Sequence, residues 1–209
     1  MSSLLYIKAS PRGDRSYSTA VADAFLDAYE RINPNDVVTS LDVFYDDLPA
    51  FDLEAASAKY KIMQGKPQNE DDKKVWSRVV GIIDDFKSAD KYIIATPMWN
   101  FSIPYRLKLY IDILVQPGLT FTVKPDGSYE GLVKNRPMLL VYARGGSYPF
   151  KTPAEIFDVQ RKYLELIFRF IGFTDIRSIV VDSTLAGPEA AAKSKAAAID
   201  EAREMAAKF

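Results

Sequence analysis

The sequence predicts an α/β fold: a doubly wound sandwich in which a five-stranded parallel sheet carries helices on both faces and accommodates one hairpin insertion. Two observations carry that expectation. Short apolar runs of strand length recur along the chain, and they are continuous rather than alternating, the mark of strands buried on both faces. Stretches with helical period separate them, and strands alternating with helices build a parallel sheet between two helical layers. The 209 residues suit a single domain, residues 1–209, and are enough to bury a core without covalent staples.

The elements follow in order. Leu4-Leu5-Tyr6-Ile7 reads as the first strand, and after a Ser/Pro/Gly loop a helix is expected from Thr19 to about Ile32, with Ala20, Val21, Ala24, Phe25 and Ala28 on one face. Val37 to Val43, Lys91 to Thr96, Met138 to Tyr142 and Ile176 to Val181 supply the other four strands. Helices are expected near Lys73–Ser88, Tyr105–Val115, Pro153–Ile171 and Pro188–Lys208. The stretch from Asp46 to Asp72 reads as a long loop holding a short helix at Glu54–Gln64. Between Gly118 and Pro137, the β-prone run Thr120-Phe121-Thr122-Val123, the Asp126-Gly127 turn signal and Tyr129 predict a hairpin at the sheet edge. The helix Tyr163–Ile171 is apolar nearly all round, which favours burial on more than one side and a two-fold contact with a second copy.

Composition narrows the chemistry. With 27 basic and 28 acidic side chains, the chain lacks the basic excess that nucleic acid selects. Zero cysteines exclude disulfides, thiolate nucleophiles and iron–sulfur ligation, and zero histidines exclude a Ser-His triad and a His-ligated zinc. No metal is assigned: Glu70-Asp71-Asp72 reads as the acidic first turn of a helix, and Asp46-Asp47 has too few partners nearby. No run approaches the roughly 20 apolar residues of a membrane span, and the start lacks a signal-peptide pattern, so a soluble, cytoplasmic protein is expected. Chemistry must therefore run on carboxylates, hydroxyls, lysine or a bound cofactor.

In an open parallel sheet, ligands bind beyond the carboxyl ends of the strands, and the loops after the first, third and fourth strands are all unusual. The first, Ala9 to Thr19, offers Ser10, Ser16, Tyr17 and Ser18, two arginines and a helix N-terminus, together a cradle for a phosphate; a plain helix cap by Ser16 or Ser18 is the alternative. The second, Pro97-Met98-Trp99-Asn100-Phe101-Ser102-Ile103-Pro104, is apolar and suits a planar ring, unless Trp99 and Phe101 are core packed under the hairpin. The third, Ala143-Arg144-Gly145-Gly146-Ser147-Tyr148, lets the backbone approach a ligand and aim N–H groups at it, unless the glycines only serve a positive-φ turn. A phosphate pocket, an aromatic slot and a donor pair around one crevice suit flavin mononucleotide, which brings its own redox chemistry.

The segments Lys8-Ala9-Ser10-Pro11-Arg12, Pro97 to Phe101, Leu107-Lys108-Leu109-Tyr110-Ile111-Asp112, Gly118-Leu119-Thr120-Phe121, Arg144-Gly145-Gly146 and Gly172-Phe173-Thr174-Asp175 resemble, in order and across most of the chain, the FMN-dependent NADH-azoreductase family of flavodoxin-like quinone reductases. The resemblance implies a flavodoxin-like fold and a homodimer with FMN near the subunit interface. It implies a two-step cycle in which NADH or NADPH reduces the flavin and quinones or azo compounds take the electrons. It places the phosphate on Ser10, Ser16, Tyr17 and Ser18 and the ring on Pro97, Met98 and Trp99. The amides around Asn100 and Phe101 would face its O4/N5 side, and Gly145 and Gly146 its N1/O2 side. Phe121 and Phe170 match aromatic positions of the substrate slot, Phe170 reaching in from the partner subunit, with Tyr148 beside them. No side chain acts as an obligatory acid or base, since flavin N5 carries the hydride; Asn100, Gly145, Gly146 and Tyr148 tune the ring.

The chain departs from the family at three positions. Ala143 stands where serine is frequent, Tyr148 where a histidine often follows the glycine pair, and Trp99 where tyrosine is usual. The rival readings are a flavodoxin-type electron carrier, against which the near-neutral charge and the hairpin speak, a free-flavin or nitro reductase, and a flavin-free binding module.

Overall fold

The computed structural model describes residues 1–209. Along the chain run β1 (Ser3–Lys8), α1 (Tyr17–Ile32), β2 (Val37–Asp42), α2 (Leu53–Met63), α3 (Glu70–Ser88), β3 (Lys91–Pro97), α4 (Tyr105–Leu114), β4 (Phe121–Val123), β5 (Tyr129–Gly131), β6 (Pro137–Ala143), α5 (Val159–Ile171), β7 (Asp175–Val181) and α6 (Pro188–Ala206). Five of the strands pair in parallel in the order β2-β1-β3-β6-β7. The predicted strands and their parallel sheet are thus present, and the strand order reverses between β1 and β3.

Strand period two divides the core. Leu5 and Ile7 of β1, Tyr92 and Ile94 of β3, and Met138, Leu140 and Tyr142 of β6 face α3, α4 and α5, where they meet Ile83, Phe86, Leu107, Leu164 and Phe168. Leu4, Tyr6, Ile93, Leu139 and Val141 face α1 and α6, against Val21, Phe25 and Tyr29 and the small residues Ala198, Ala202 and Ala206. The alanine-rich end is therefore a packing stripe that lets α6 lie close to α1. The central strands are buried along nearly their whole length, whereas the edge strand β2 is largely exposed. No helix is long and apolar enough to cross a membrane.

Three expectations need correction. The helix expected from Lys73 starts at Glu70, because Asn69 accepts the Asp72 N–H at 2.8 Å while the Asp72 carboxylate accepts the Asn69 N–H at 3.0 Å, a reciprocal cap. The acidic run Glu70-Asp71-Asp72 is that helix's first turn. The single helix expected over Pro153–Ile171 is two pieces, a 3₁₀ turn at Pro153–Phe157 and α5, broken at Asp158, whose side chain accepts the Arg161 N–H and caps the second piece. The hairpin exists but not at the sheet edge: β4 and β5 form a separate two-stranded sheet that leans on the C-terminal end of α5. Its loop is longer than two residues. The Gly127 N–H returns to the Lys124 carbonyl and the Lys124 N–H to Ser128, with Gly127 at φ +82°.

Close approach fixes where the hairpin rests. A Cβ on Gly131 would stand 2.2 Å from the Gly172 nitrogen, so only a residue without one lets β5 lie against the end of α5. The Val133 N–H then donates to the Ile171 carbonyl at 2.9 Å. On α5, Leu164, Phe168 and Ile171 are buried, whereas Leu166 remains 68% exposed.

Candidate functional site at the sheet rim

At the carboxyl end of the sheet, the three loops meet. A cleft of 190 Å³ is lined by Ser10, Arg12, Ser16 and Tyr17 from the first loop, Pro97, Met98 and Trp99 from the second, and Ala143, Arg144 and Gly145 from the third. The Met98 N–H donates to the Ala143 carbonyl at 2.7 Å and ties the second loop to the third. Thr184 and Leu185, which follow β7, complete the wall. Sequence reasoning missed these two, although the rule that selected the other loops applies equally to the exit of β7.

The phosphate-cradle end is built from a helix start. Ser16 caps α1, its Oγ accepting the Thr19 N–H at 3.3 Å, which leaves the Tyr17 and Ser18 amides without an acceptor in the chain. Capping and ligand binding are therefore compatible: the cap satisfies one amide and frees two beside the cleft. Ser18 is fully buried beneath, with its Oγ 3.3 Å from that of Ser16, so its side chain does not line the cleft. Ser10 is 4% exposed and its Oγ has no hydrogen-bond partner. A buried hydroxyl without a partner is costly, and here it forms part of the cleft wall. Arg12 adds positive charge at the same end.

The second loop is a tight turn. Trp99 and Ser102 exchange both backbone hydrogen bonds, at 3.0 and 2.9 Å, and the residues between them, Asn100 and Phe101, take φ of +48° and +68°. Two consecutive left-handed residues define a type I′ turn, in which glycine is the usual second residue; a phenylalanine there stores strain of order 1–3 kcal/mol. The turn leaves the Asn100 and Phe101 amides free. Trp99 packs beside Phe44 and Tyr105, and Phe101 beside Phe157 and Tyr148, yet Trp99 and Phe101 are both substantially exposed. Neither lies under the hairpin, so the alternative of plain core is overturned.

The glycine pair makes no positive-φ turn, since neither Gly145 nor Gly146 adopts one. Their carbonyls accept the Leu185 and Ser183 N–H groups, and their own amides find no acceptor in the chain. Gly146 and Tyr148 lie beside the cleft rather than in its wall, with the Tyr148 hydroxyl folded against Gly146. Burial pushes the phenol of Tyr142 well above its ordinary value, with the Glu165 and Asp158 carboxylates acting in the same direction, so it stays neutral beneath the rim.

Phe121 and Phe170 are placed elsewhere. They touch each other, ring centroids 4.7 Å apart, where the hairpin meets the end of α5, near the amino ends of β6 and β7. Within one chain, neither reaches the cleft. A larger hollow of 530 Å³ lies between α2 and α3, but its lining belongs largely to the α3 start, where Asp72 is engaged by Asn69 and Lys61.

The donor set fits FMN on the structure's own terms: the free amides at the start of α1 and an unpartnered buried hydroxyl for a phosphate, an apolar wall of Pro97, Met98 and Trp99 for a ring, and the free Gly145 amide opposite. Asn100 and Phe101, next in chain after Trp99, are not part of the cleft lining. Comparison with known proteins agrees. The family described as having a flavodoxin-like fold matches residues 2–206. The chain is 57% identical over 210 residues, covering all of both chains, to an FMN-dependent NADH:quinone oxidoreductase of Nitratidesulfovibrio vulgaris. Among solved structures, the azoreductase from Bacillus anthracis strain Sterne superposes with a TM-score of 0.91 at 31% identity over the whole of both chains. An FMN-dependent NADH-azoreductase from Bacillus anthracis strain Ames Ancestor, solved in complex with FMN, gives 0.90 at 30% identity over 100% of this chain and 99% of that one.

Proposed function

The chain belongs to the FMN-dependent NADH:quinone oxidoreductase family of flavodoxin-like proteins, and from that premise we propose that it is a cytoplasmic homodimeric enzyme that uses FMN to pass two electrons from NADH or NADPH to quinones and azo compounds. One observation carries the reading beyond family: residues with an unpartnered hydroxyl or a free amide, Ser10, Tyr17 and Gly145, line one cleft together. When bound, FMN would supply the redox chemistry, a two-electron exchange first with the nicotinamide and then with the acceptor.

The chain's own residues bind and orient. Ser10 Oγ and the Tyr17 and Ser18 amides hold the phosphate, assisted by the positive end of α1. Pro97, Met98 and Trp99 form the apolar floor, and Trp99 packs beside Phe44 and Tyr105, which limits its movement. The Asn100, Phe101, Gly145 and Gly146 amides offer fixed donors that need no reorganisation during turnover. No imidazole exists to act as an acid or base, so catalysis rests on proximity and preorganised dipoles. Ala143 contributes only backbone, and the Tyr148 hydroxyl takes the side of the site next to Gly146.

A second subunit supplies what one chain lacks. In this reading, Phe170, with Phe121 beside it, closes the slot of the neighbouring subunit. Exposed Phe150, Ile156, Val159 and Leu166 on and before α5 support an apolar contact between copies. Sedimentation should give a dimer that Leu166→Asp weakens. The primary test is an anaerobic absorption experiment: the FMN-loaded protein should bleach with NADH and regain its flavin band on adding benzoquinone. Slow bleaching with no turnover would identify an electron carrier, and failure to take up FMN would identify a flavin-free module.

A further inference from the structure

Just past the end of β6, the backbone turns its polar groups from one neighbouring strand to the other. The Ala143 carbonyl still faces β3, accepting the Met98 N–H at 2.7 Å. Arg144 faces the opposite neighbour: its N–H donates to the Val181 carbonyl at 2.9 Å, and its carbonyl accepts the Thr184 N–H at 3.2 Å. The same carbonyl takes the Thr184 hydroxyl at 3.1 Å, so two donors of one residue hold it. Ser183, at φ +55°, lies in the turn that carries Thr184 to this carbonyl, and the Leu185 N–H holds the next one, that of Gly145, at 3.1 Å.

The Arg144 carbonyl and the Gly145 N–H belong to one trans, planar peptide unit, so they point in opposite directions. A carbonyl fixed on the β7 side therefore directs the Gly145 N–H to the β3 side. There, past Met98, the second loop turns away, and the space between the loops is the cleft that Pro97, Met98, Trp99, Gly145 and Thr184 line together. The Gly145 N–H has no acceptor in the chain. The Arg144 guanidinium is paired with Asp158 and lines a separate hollow, so the donor this loop offers the cleft is the amide.

We propose that Thr184 is a positioning residue: its hydroxyl locks the Arg144–Gly145 peptide plane and so aims the Gly145 N–H across the cleft at the N1/O2 edge of the bound ring. The inference rests on the FMN reading. Negative charge gathers at that edge when the ring is reduced, and a donor already held in line stabilises it without having to reorganise. With the backbone N–H alone on the carbonyl, the plane rocks and the donor loses alignment, and hydrogen bonds weaken as they bend.

The experiment compares FMN-loaded wild type, Thr184→Val and Thr184→Ser, reading the midpoint potential by equilibration with a reference dye and the Gly145 amide by NMR. Thr184→Val keeps the backbone N–H and removes the hydroxyl; Thr184→Ser keeps both. The valine variant should bind the reduced ring about threefold more weakly relative to the oxidised one, a midpoint about 14 mV more negative, and the serine variant should restore the wild-type value. Protein labelled with carbonyl-¹³C arginine and ¹⁵N glycine shows Gly13 and Gly145 alone through the carbonyl coupling, because only these two glycines follow an arginine. Arg12→Lys removes the Gly13 signal and assigns the pair. The Gly145 amide proton should move downfield as wild type takes up FMN, a measurement that stands even if Thr184→Val fails to fold. Midpoints that agree while melting temperatures differ would make Thr184 a structural residue only and overturn the proposal, as would a Gly145 amide that FMN leaves unmoved; the FMN reading survives either result. Wild type that takes up no FMN overturns both.

Discussion

Gln160 reaches across the rim to Phe101: its backbone N–H donates to the Phe101 carbonyl at 2.8 Å, and its buried side-chain amide lies 3.4 Å from the Thr96 carbonyl. The start of α5 thereby holds the left-handed turn that carries Asn100 and Phe101, while Asp158, two residues earlier, holds Arg144. One helix end organises two of the three loops.

The strain in that turn can be separated from its packing. Phe101→Ala loses the ring contacts to Phe157 and Tyr148 and keeps a Cβ at φ +68°. Phe101→Gly loses the same contacts but suits the conformation. The glycine variant should be about 1 kcal/mol more stable than the alanine variant, a melting temperature about 2–4 °C higher for a chain of this size. Equal melting temperatures would argue against strain at this position.

Ser10 and Ser16 should part company. Ser16→Ala removes the α1 cap and should cost about 1 kcal/mol of apoprotein stability. Ser10→Ala removes a buried hydroxyl that bonds nothing within the chain, so apoprotein stability should hold or rise. The same change should weaken FMN about tenfold or more, since a hydrogen bond to a charged group is worth about 1.5–3 kcal/mol. Calorimetric melting beside an FMN titration checks both halves.

Gly131 allows no side chain. Gly131→Ala would drive a methyl group into the Gly172 and Ile171 backbone, which has no flexible end to yield. The loss should be about 3 kcal/mol or the hairpin should detach from α5. Hydrogen exchange would distinguish the outcomes, detachment appearing as lost protection at the Val133 amide.

Stability should be flat across neutral pH and fall at both extremes. With no histidine, no ordinary side chain titrates between about pH 5 and 8. The Asp36, Asp72 and Asp90 carboxyls lie below the usual range, held there chiefly by the Ser2 amide, the Lys61 ammonium and the Ser3 amide respectively. Their stabilisation is present above the unfolded value near 4 and is lost as pH falls through the lower folded values. Burial raises the Tyr6, Tyr29 and Tyr110 phenols, and Tyr163 up to about 12. Their stabilisation is complete below the unfolded value near 10 and disappears as pH rises through the folded values. Melting temperatures from pH 3 to 11 test the plateau, and a step near pH 6.5 would contradict it.

The sheet was legible because β1, β3 and β6 are covered on both faces, so their apolar runs are unbroken in the sequence. The three loops were legible because Trp99, Gly145-Gly146 and the serine cluster are odd residues for the exits of buried strands. Other features leave weaker marks. Asp158 sits inside a run whose helical period continues on both sides, and only its carboxylate caps reveal the break. Thr184 and Leu185 are commonplace residues made part of the cleft by the path of the chain after β7. The contact between Phe121 and Phe170 spans 49 positions and depends on the absence of a Cβ at Gly131, which no periodicity encodes.

Leu185 leans over Gly145, so that a Cβ there would stand 2.5 Å from its Cδ1, and yet the leucine is 87% exposed. As an exposed part of the cleft wall, its side chain can be trimmed or enlarged without disturbing the interior. A change at this one position therefore reshapes the wall and leaves the core as it is.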